Sequence, residues 1–247
     1  MKLKDAVLLS ALAAAFAVVP ALAQQSTATP PAQNPVPDDL PDAPTATAAV
    51  LTVPNGPHVV FDTSMGRITC QFFQRQAPIA TANFIALATG AKDWTDPKTH
   101  RVQHNKPLYN GTTFHRVIPE FMIQGGDPVG TGMGDPGFTF DDELNTSLNF
   151  DRPGRLAMAN SGPNTNGSQF FITEAAYDTL NQHYTLFGQC DDASVEVVKA
   201  VARVPRDSDD KPNTPVSLQK VTIVPEGQPL PPMPATPQPA FQPPAAK

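Results

Sequence analysis

The chain has 247 residues, with 17 Lys and Arg against 23 Asp and Glu, and a formal net charge of −6. No cluster of basic residues occurs, so nucleic acids and anionic membrane surfaces are poor partners. The length suits one domain or two small ones.

The first 23 residues have the pattern of a cleavable secretory signal peptide. Lys2 and Lys4 form a positive n-region, an apolar run spans 6–19, and Ala21-Leu22-Ala23 supplies a cleavage site. The apolar run is shorter than the ~20 residues that a membrane-spanning helix needs. We therefore predict cleavage after Ala23 and no membrane insertion afterwards. The expected location is the periplasm, with secretion as the alternative.

Proline separates two flanks from a central domain. Eight of the 29 prolines lie in 24–57 and nine in 225–247, and both segments are poor in large apolar side chains. Such segments cannot bury enough surface to offset the entropy cost of ordering. We predict a Pro-rich disordered N-terminal segment (24–57), one folded domain (58–224) and a Pro-rich disordered C-terminal tail (225–247). An acidic domain of this size is expected to be a monomer.

The domain opens with two β-rich runs, 58–63 and 67–73, joined by a hairpin signal. A helix is predicted from Pro78, which suits a first turn, to a stop at Gly90. Its buried face would hold Phe84, Leu87 and Ala88.

The polar stretch 91–110 reads as a loop because Pro97 and Pro107 interrupt it. His100 and His104 stand four residues apart, a spacing that could bind metal on a helix. In a loop without a further ligand they are interpreted as solvated side chains, so no metal site is predicted.

A second helix is predicted over 194–204, with Ser194 as its N-cap and Val195, Val198 and Val201/Ala202 as its buried stripe. About eight short strands and two helices indicate a closed barrel with helices covering its ends. The strand candidates after the hairpin are 114–117, 121–124, 155–160, 169–173, 185–189 and 217–224.

Cys70 and Cys190 are the two cysteines. Export to an oxidising compartment permits a disulfide. Both lie in strand-like runs, where a free cysteine often serves as a small core residue, and a domain of this size does not need a bridge. The sequence favours free cysteines and leaves the disulfide open.

Two stretches stand out chemically: FHRVIPEFMIQGGDP (114–128) and LAMANSGPNTNGSQFFIT (156–173). The first places Arg116 inside an apolar run, and burying a guanidinium is costly unless it is paired. Taken alone, the aromatic side chains of both stretches read as core.

In this order and spacing the two stretches resemble the signature blocks of the cyclophilins, which are peptidyl-prolyl cis-trans isomerases. The resemblance also takes in DTSMGRI, PIATANFIALATG and LNQHYTLFGQ, and covers 58–224. It implies a mainly β fold, a closed eight-stranded antiparallel β-barrel capped by two α-helices. It further implies proline-containing polypeptides as partners and no cofactor.

The resemblance makes Arg116 the catalytic arginine. In the twisted transition state the proline nitrogen loses conjugation and gains a lone pair, to which a fixed guanidinium can donate. The other implied roles concern substrate binding. Phe121, Met122 and Phe171 would form the walls of the proline pocket, which Leu180 would close. Gln124 and Asn160 would hold the substrate backbone, with Ala159 and Ser161 beside Asn160. Gln169 would support the arginine, and Tyr184 would face the groove.

The sequence departs from the family pattern at three positions. Tyr184 stands where many members carry histidine. The position of the family's pocket tryptophan falls near Thr179, and the single Trp of the chain is Trp94, so weak cyclosporin binding is predicted. Glu120 replaces a usual glycine. It is interpreted as an exposed turn residue, the alternative being a negative rim that favours basic substrates.

Two functions remain in view. The first is an isomerase that accelerates X-Pro rotation in exported proteins during folding. The alternative is a Pro-peptide-binding chaperone or interaction module with little turnover. The presence of Arg116 together with Phe121, Gln124 and Phe171 favours catalysis.

Overall fold

The computed structural model describes residues 52–234. The predictions for the signal peptide, for 24–51 and for 235–247 lie outside the described residues. The described elements are, in chain order, β1 (His58–Thr63), β2 (Gly66–Phe72), α1 (Pro78–Thr89), β3 (Trp94–Thr95), β4 (Val102–Gln103), β5 (Thr113–Phe114), β6 (Arg116–Ile118), β7 (Met122–Gly125), β8 (Arg155–Met158), β9 (Phe170–Thr173), a 3-10 helix (Asp178–Leu180), β10 (Leu186–Cys190), α2 (Asp192–Ala202) and β11 (Val216–Val224).

The main sheet is a nearly closed antiparallel barrel. Its strand order is β5-β11-β1-β2-β10-β8-β9-β7-β6, so β5 and β6 form its two edges. Only His115 separates these edge strands. Phe114 pairs with Val216 of β11, whereas Arg116 pairs with Gln124 of β7. The bent segment 113–118 therefore joins the edges, and counting it as one strand gives the eight strands that were predicted.

Strand alternation divides the apolar side chains into two sets. Phe61, Phe84 and Phe170 belong to the main core inside the barrel, where their rings pack edge to face or stacked. Phe171, the next residue of β9, belongs to a second apolar cluster with Met122 and Leu180. This second cluster forms the floor of the groove described below.

Helix α1 agrees with its prediction. Pro78 stands at its start, and Gly90 ends it in the left-handed conformation with φ of 79°. The predicted face of Phe84, Leu87 and Ala88 is buried. The first-turn N–H groups of Ile79 and Ala80 donate to the carboxylate of Glu143, which caps the helix from a distant loop.

Helix α2 has the predicted buried stripe but begins earlier. Asp191 is the N-cap, and its carboxylate accepts from the N–H of Ser194 at 2.7 Å. The prediction of Ser194 as the cap is wrong because its hydroxyl is buried and accepts from the N–H of Thr69. The side chain thus links α2 to β2.

Cys70 and Cys190 form a disulfide with an S–S distance of 2.00 Å. They stand opposite each other on the paired strands β2 and β10. The preference for free cysteines is therefore wrong, although both side chains are buried in the main core as expected.

The predicted loop 91–110 contains the short β3–β4 hairpin. The buried indole of Trp94 donates to the carbonyl of Lys106. His104 is exposed and lies 2.7 Å from the carboxylate of Asp93. Within 52–234, no three His, Cys, Asp or Glu side chains are grouped to hold a metal ion.

Neither α1 nor α2, the α-helices of the described residues, combines the length and apolarity needed to cross a membrane. Beyond β11, residues 225–234 form neither helix nor strand. The guanidinium of Arg67 donates to the carbonyls of Pro231 and Pro232 there. Disorder of both flanks stays a prediction.

Candidate active site

A groove of about 610 Å³ runs along the outer side of β6 and β7. It contains nine of the eleven residues that the resemblance assigned to the site. Its lining comprises His115, Arg116, Phe121, Met122, Gln124, Thr131, Gly132, Ala159, Asn160, Phe171, Leu180, Tyr184, Asp207, Asp209 and Lys211.

The floor of the groove is apolar. Met122 and Phe171 project from the neighbouring strands β7 and β9, and Leu180 from the 3-10 helix. Their exposed fractions are 2%, 5% and 9%. Phe121 stands at the edge of this floor, packed on the ring of Tyr177 at 4.6 Å. The floor can therefore hold a compact apolar ring such as that of proline.

Arg116 lies at the rim of this floor. Its neighbours His115 and Val117 are buried, while the Arg116 side chain is 45% exposed. Solvent access removes the cost that an arginine inside an apolar run would otherwise carry. Its Nε lies 3.7 Å from the carboxylate of Asp210. The guanidinium is thus available to a group bound in the groove.

Gln124 and Gln169 form a hydrogen-bonded pair beside Arg116. Nε2 of Gln124 donates to Oε1 of Gln169 at 3.0 Å. Nε2 of Gln169 donates to the carbonyls of Gly132 and Gly134. The amide of Gln169 therefore supports Gln124 and the glycine-rich loop, while its support of Arg116 stays a prediction.

A second groove of about 350 Å³ adjoins the first. Gln124, Ala159 and Asn160 line both, and the remaining predicted residues, Ser161 and Gln169, line the second. All eleven predicted positions therefore line one or both of two grooves that share residues.

Asn160 and Tyr184 also line the main groove. The side-chain amide of Asn160 donates to the carbonyl of His183 and accepts from the N–H of Gly162. The ring of Tyr184 meets Phe171 edge to face at 5.3 Å. Tyr184 lines the main groove and the neighbouring His183 does not.

Asp127 shapes the loop that carries Gly132. Its carboxylate accepts from the N–H groups of Val129, Thr131, Gly132 and Gly134. Burial opposes ionisation of Asp127, but these donors outweigh it and lower the pKa. The glycines act as turn residues whose backbone borders the groove.

Sequence reasoning missed two contributors to the groove. His115 is buried behind the rim, and burial lowers its pKa against the attraction of Asp127, so the ring adds no charge near neutral pH. The loop 205–213 adds Asp207, Asp209 and Lys211. Its sequence, PRDSDDKPN, has no feature that distinguishes it from a solvated surface turn.

Comparisons with known proteins agree with this geometry. The family model described as "Cyclophilin type peptidyl-prolyl cis-trans isomerase/CLD" matches residues 58–223. The "Probable peptidyl-prolyl cis-trans isomerase A" of Mycobacterium bovis is 44% identical over 187 residues, which cover 75% of this chain and 97% of that protein. "Peptidyl-prolyl cis-trans isomerase B" of Streptomyces anulatus is 42% identical, covering 67% and 95% of the two chains.

Solved structures show the same architecture. The crystal structure of a Cryptosporidium parvum cyclophilin type peptidyl-prolyl cis-trans isomerase has a TM-score of 0.60 and 35% identity, covering 71% of this chain and all of that one. A second structure of that protein, in the presence of the dipeptide Ala-Pro, has a TM-score of 0.58 and 36% identity, covering 68% and 98%.

Proposed function

The chain belongs to the cyclophilin-type peptidyl-prolyl cis-trans isomerase family, and we propose that this isomerase accelerates X-Pro rotation in exported proteins while they fold. The observation that carries the site assignment is the position of Arg116, whose solvent-accessible guanidinium stands at the rim of an apolar floor.

The apolar floor, with Phe121 at its edge, holds the proline ring against Met122 and Phe171, and Leu180 closes this pocket. Rotation then carries the acyl side of the bond past the rim. The barrier to this rotation is ~18–20 kcal/mol because resonance keeps the peptide planar. A fixed ring and a rotating acyl group require no nucleophile, metal or cofactor.

Arg116 acts on the transition state selectively. As the bond twists, the proline nitrogen becomes pyramidal and gains an acceptor lone pair that the planar amide lacks. A donated hydrogen bond from the guanidinium therefore stabilises the twisted form more than the ground state. Gln124 and Asn160, flanked by Ala159 and Ser161, hold the peptide backbone on either side.

The test is isomerisation of an Ala-Pro peptide by the protein lacking residues 1–23, beside Arg116→Ala and Arg116→Lys. We expect fast catalysis by the unsubstituted protein and a loss of at least ~2 kcal/mol of transition-state stabilisation in Arg116→Ala. Arg116→Lys should recover part of it. Full activity of Arg116→Ala in a correctly folded protein would refute the assigned role.

Export is supported by two independent features. The first 23 residues have a signal-peptide pattern, and the Cys70–Cys190 disulfide suits an oxidising compartment. The proposed location is the periplasm, with secretion as the alternative. Fractionation of cells producing the full chain, with the mature N-terminus sequenced, decides between these and retention.

The proposed partners are proline-containing polypeptides, as the Ala-Pro dipeptide in the related structure suggests. We further propose a monomer that binds cyclosporin weakly. Trp94 is buried and bonded to Lys106, so it is not among the groove residues, and Thr179 offers no indole in its place. Sedimentation and a cyclosporin titration of the isomerase activity test both points.

A binding module with little turnover remains the alternative. It predicts that a proline peptide binds the groove while isomerisation proceeds at the uncatalysed rate. The exposed guanidinium of Arg116 beside the apolar floor favours turnover. Measuring affinity and rate on the same peptide separates the two.

A further inference from the structure

Asp210 links two arginines at the rim of the groove. Its Oδ1 accepts a hydrogen bond from Nε of Arg206 at 3.1 Å. Its Oδ2 lies 3.7 Å from Nε of Arg116. The second distance exceeds a normal hydrogen bond, so this contact is an attraction between charges. One carboxylate thus faces the arginine to which catalysis is assigned.

The loop 205–213 holds this carboxylate in place through its own backbone. The N–H of Asp210 donates to the carbonyl of Asp207, and the carboxylate of Asp207 accepts from the N–H groups of Asp209 and Lys211. The N–H of Asn213 donates to the carbonyl of Pro205, which closes the base of the loop. These bonds make a compact turn.

The turn is attached to the strand that carries Arg116. The N–H of Val117 donates to the carbonyl of Asp210 at 2.8 Å. This bond holds Asp210 next to the strand residue that follows Arg116. Asp210 also adopts a left-handed backbone with φ of 63°. That conformation is costly for most residues, and Asp and Asn tolerate it best.

The Arg116–Asp210 contact orients the guanidinium. Because Nε faces the loop, the terminal nitrogens stay available to the groove, and they form no hydrogen bond within the described residues. A long side chain that is 45% exposed would otherwise sample many rotamers. Holding it in one orientation before substrate binds removes part of that entropy cost from the transition state.

We propose that Asp210, supported by Arg206, is the residue that positions the Arg116 guanidinium for catalysis. The proposal rests on the role of Arg116 given above. It assigns to the loop 205–213 a part in the reaction that its polar sequence does not indicate.

The test compares isomerisation of an uncharged Ala-Pro peptide by the unsubstituted protein, Asp210→Asn and Asp210→Glu. Asparagine keeps the left-handed turn and the side-chain size but removes the charge. Glutamate keeps the charge. The matched control is Glu196→Gln, which removes the carboxylate of the exposed Glu196–Lys199 pair on α2. Thermal unfolding of each variant confirms that the fold is intact.

We expect Asp210→Asn to lower kcat about threefold to tenfold with KM nearly unchanged, because the lost contact acts on the transition state. Asp210→Glu should recover part of kcat. Raising the ionic strength should slow the unsubstituted protein towards the rate of Asp210→Asn, since salt screens a partly exposed pair. Glu196→Gln should match the unsubstituted protein.

A double-mutant cycle with Arg116→Ala, which removes the cation, shows whether Asp210 acts through Arg116. If it does, Asp210→Asn has little further effect once alanine replaces the arginine. An equal loss in both backgrounds overturns the proposal, as does a rise in activity in Asp210→Asn, which would mark Asp210 as a competitor of substrate. Unchanged kcat in Asp210→Asn overturns it too. Failure of the proposed function can be told apart from failure of this proposal. In that case the unsubstituted protein would show no catalysis, or Arg116→Ala would keep full activity.

Discussion

Gln124 donates a hydrogen bond to Gln169, and the other hydrogen bonds of the Gln169 amide fix the direction of this one. Both N–H groups of Gln169 go to the carbonyls of Gly132 and Gly134, so only its oxygen can face Gln124. The side-chain nitrogen of Gln124 must therefore point towards Gln169. Its own side-chain oxygen is left as an acceptor beside the groove, suited to a backbone N–H of a bound peptide.

Gln169→Glu tests this arrangement without changing side-chain size. A carboxylate cannot donate to the two glycine carbonyls and repels them, so the free energy of unfolding should fall by about 1–3 kcal/mol. Gln124 can still donate to the new carboxylate, but that carboxylate is no longer anchored to the two glycine carbonyls, so both side chains should shift and KM for an Ala-Pro peptide should rise. Urea unfolding and steady-state kinetics provide the two readouts.

Gln71→Glu is the matched control for that variant. Its amide donates to the carbonyl of Gly56, outside the residues that line the groove. The substitution should therefore lower stability and leave KM unchanged. A similar rise of KM in both variants would show that the effect does not depend on the Gln124–Gln169 bond.

Glu120 occupies a left-handed backbone conformation with φ of 62°, and its side chain is exposed. This position explains why glycine suits the turn after Ile118-Pro119. Glu120→Gly should raise the free energy of unfolding by about 0.5–1 kcal/mol, because it removes the steric cost of that conformation. Chemical denaturation measures the change.

The same substitution inside a helix should have the opposite sign. Glu196 lies in α2, where glycine costs about 1 kcal/mol. If Glu120→Gly destabilises the protein as Glu196→Gly does, the backbone argument is wrong. Comparing KM for a neutral and a lysine-containing peptide in Glu120→Gly also tests whether the carboxylate contributes a negative rim.

The disulfide joins strands whose cysteines are 120 residues apart in sequence. Replacing both with alanine should lower the free energy of unfolding by about 2–5 kcal/mol, because the unfolded chain loses a long cross-link. Activity at 25 °C should persist, since Cys70 and Cys190 belong to the main core and the groove floor belongs to the second cluster.

A reductant added to each protein provides the control for this prediction. It should destabilise the unsubstituted protein and have no effect on the double variant. A double variant as stable as the unsubstituted protein would mean that the bridge contributes nothing to folding. Loss of activity without loss of structure would instead couple the bridge to the groove.

Local rules predicted the regular elements well. Pro78 and Gly90 bound α1 because proline and glycine have strong conformational preferences at those positions. The eight-strand count was also accessible, although the closure through the bend at His115 was not. The pairing of that segment with two different strands is a property of the nearly closed barrel.

What sequence reasoning missed depends on contacts between distant segments. The register of β2 on β10 places Cys70 beside Cys190, and no local pattern reveals it. The hydroxyl of Ser194 could cap an isolated helix, but in the fold it accepts a hydrogen bond from the N–H of Thr69. Asp210 lies near Arg116 because Val117 bonds to the loop 205–213. The acidic sequence of that loop does not indicate which strand it contacts.

Asp151 should make the fold sensitive to acid. Its carboxylate pairs with Arg152 and with the buried Arg155, whose guanidinium lies 5.5 Å from the ring of Phe73. The hydrogen bond from Arg152, together with that from Arg155, lowers the pKa of Asp151 to about 2, while partial burial opposes the shift. The folded state therefore favours the ionised carboxylate more than the unfolded chain does.

Because the folded pKa lies below the unfolded one, this stabilisation is complete above about pH 4 and is lost as the pH falls towards about 2. The Asp151 side chain is 38% exposed, so solvent screening reduces the contribution to about 1 kcal/mol.

Asp151→Asn should lower the free energy of unfolding at pH 7 by about 1–3 kcal/mol, because Arg155 stays buried without its partner. The variant should also lose less stability than the unsubstituted protein between about pH 4 and 2. Urea unfolding across this range, with the exposed Asp141→Asn as control, measures both effects. Parallel stability curves for Asp151→Asn and the unsubstituted protein would show that Asp151 is not linked to acid unfolding.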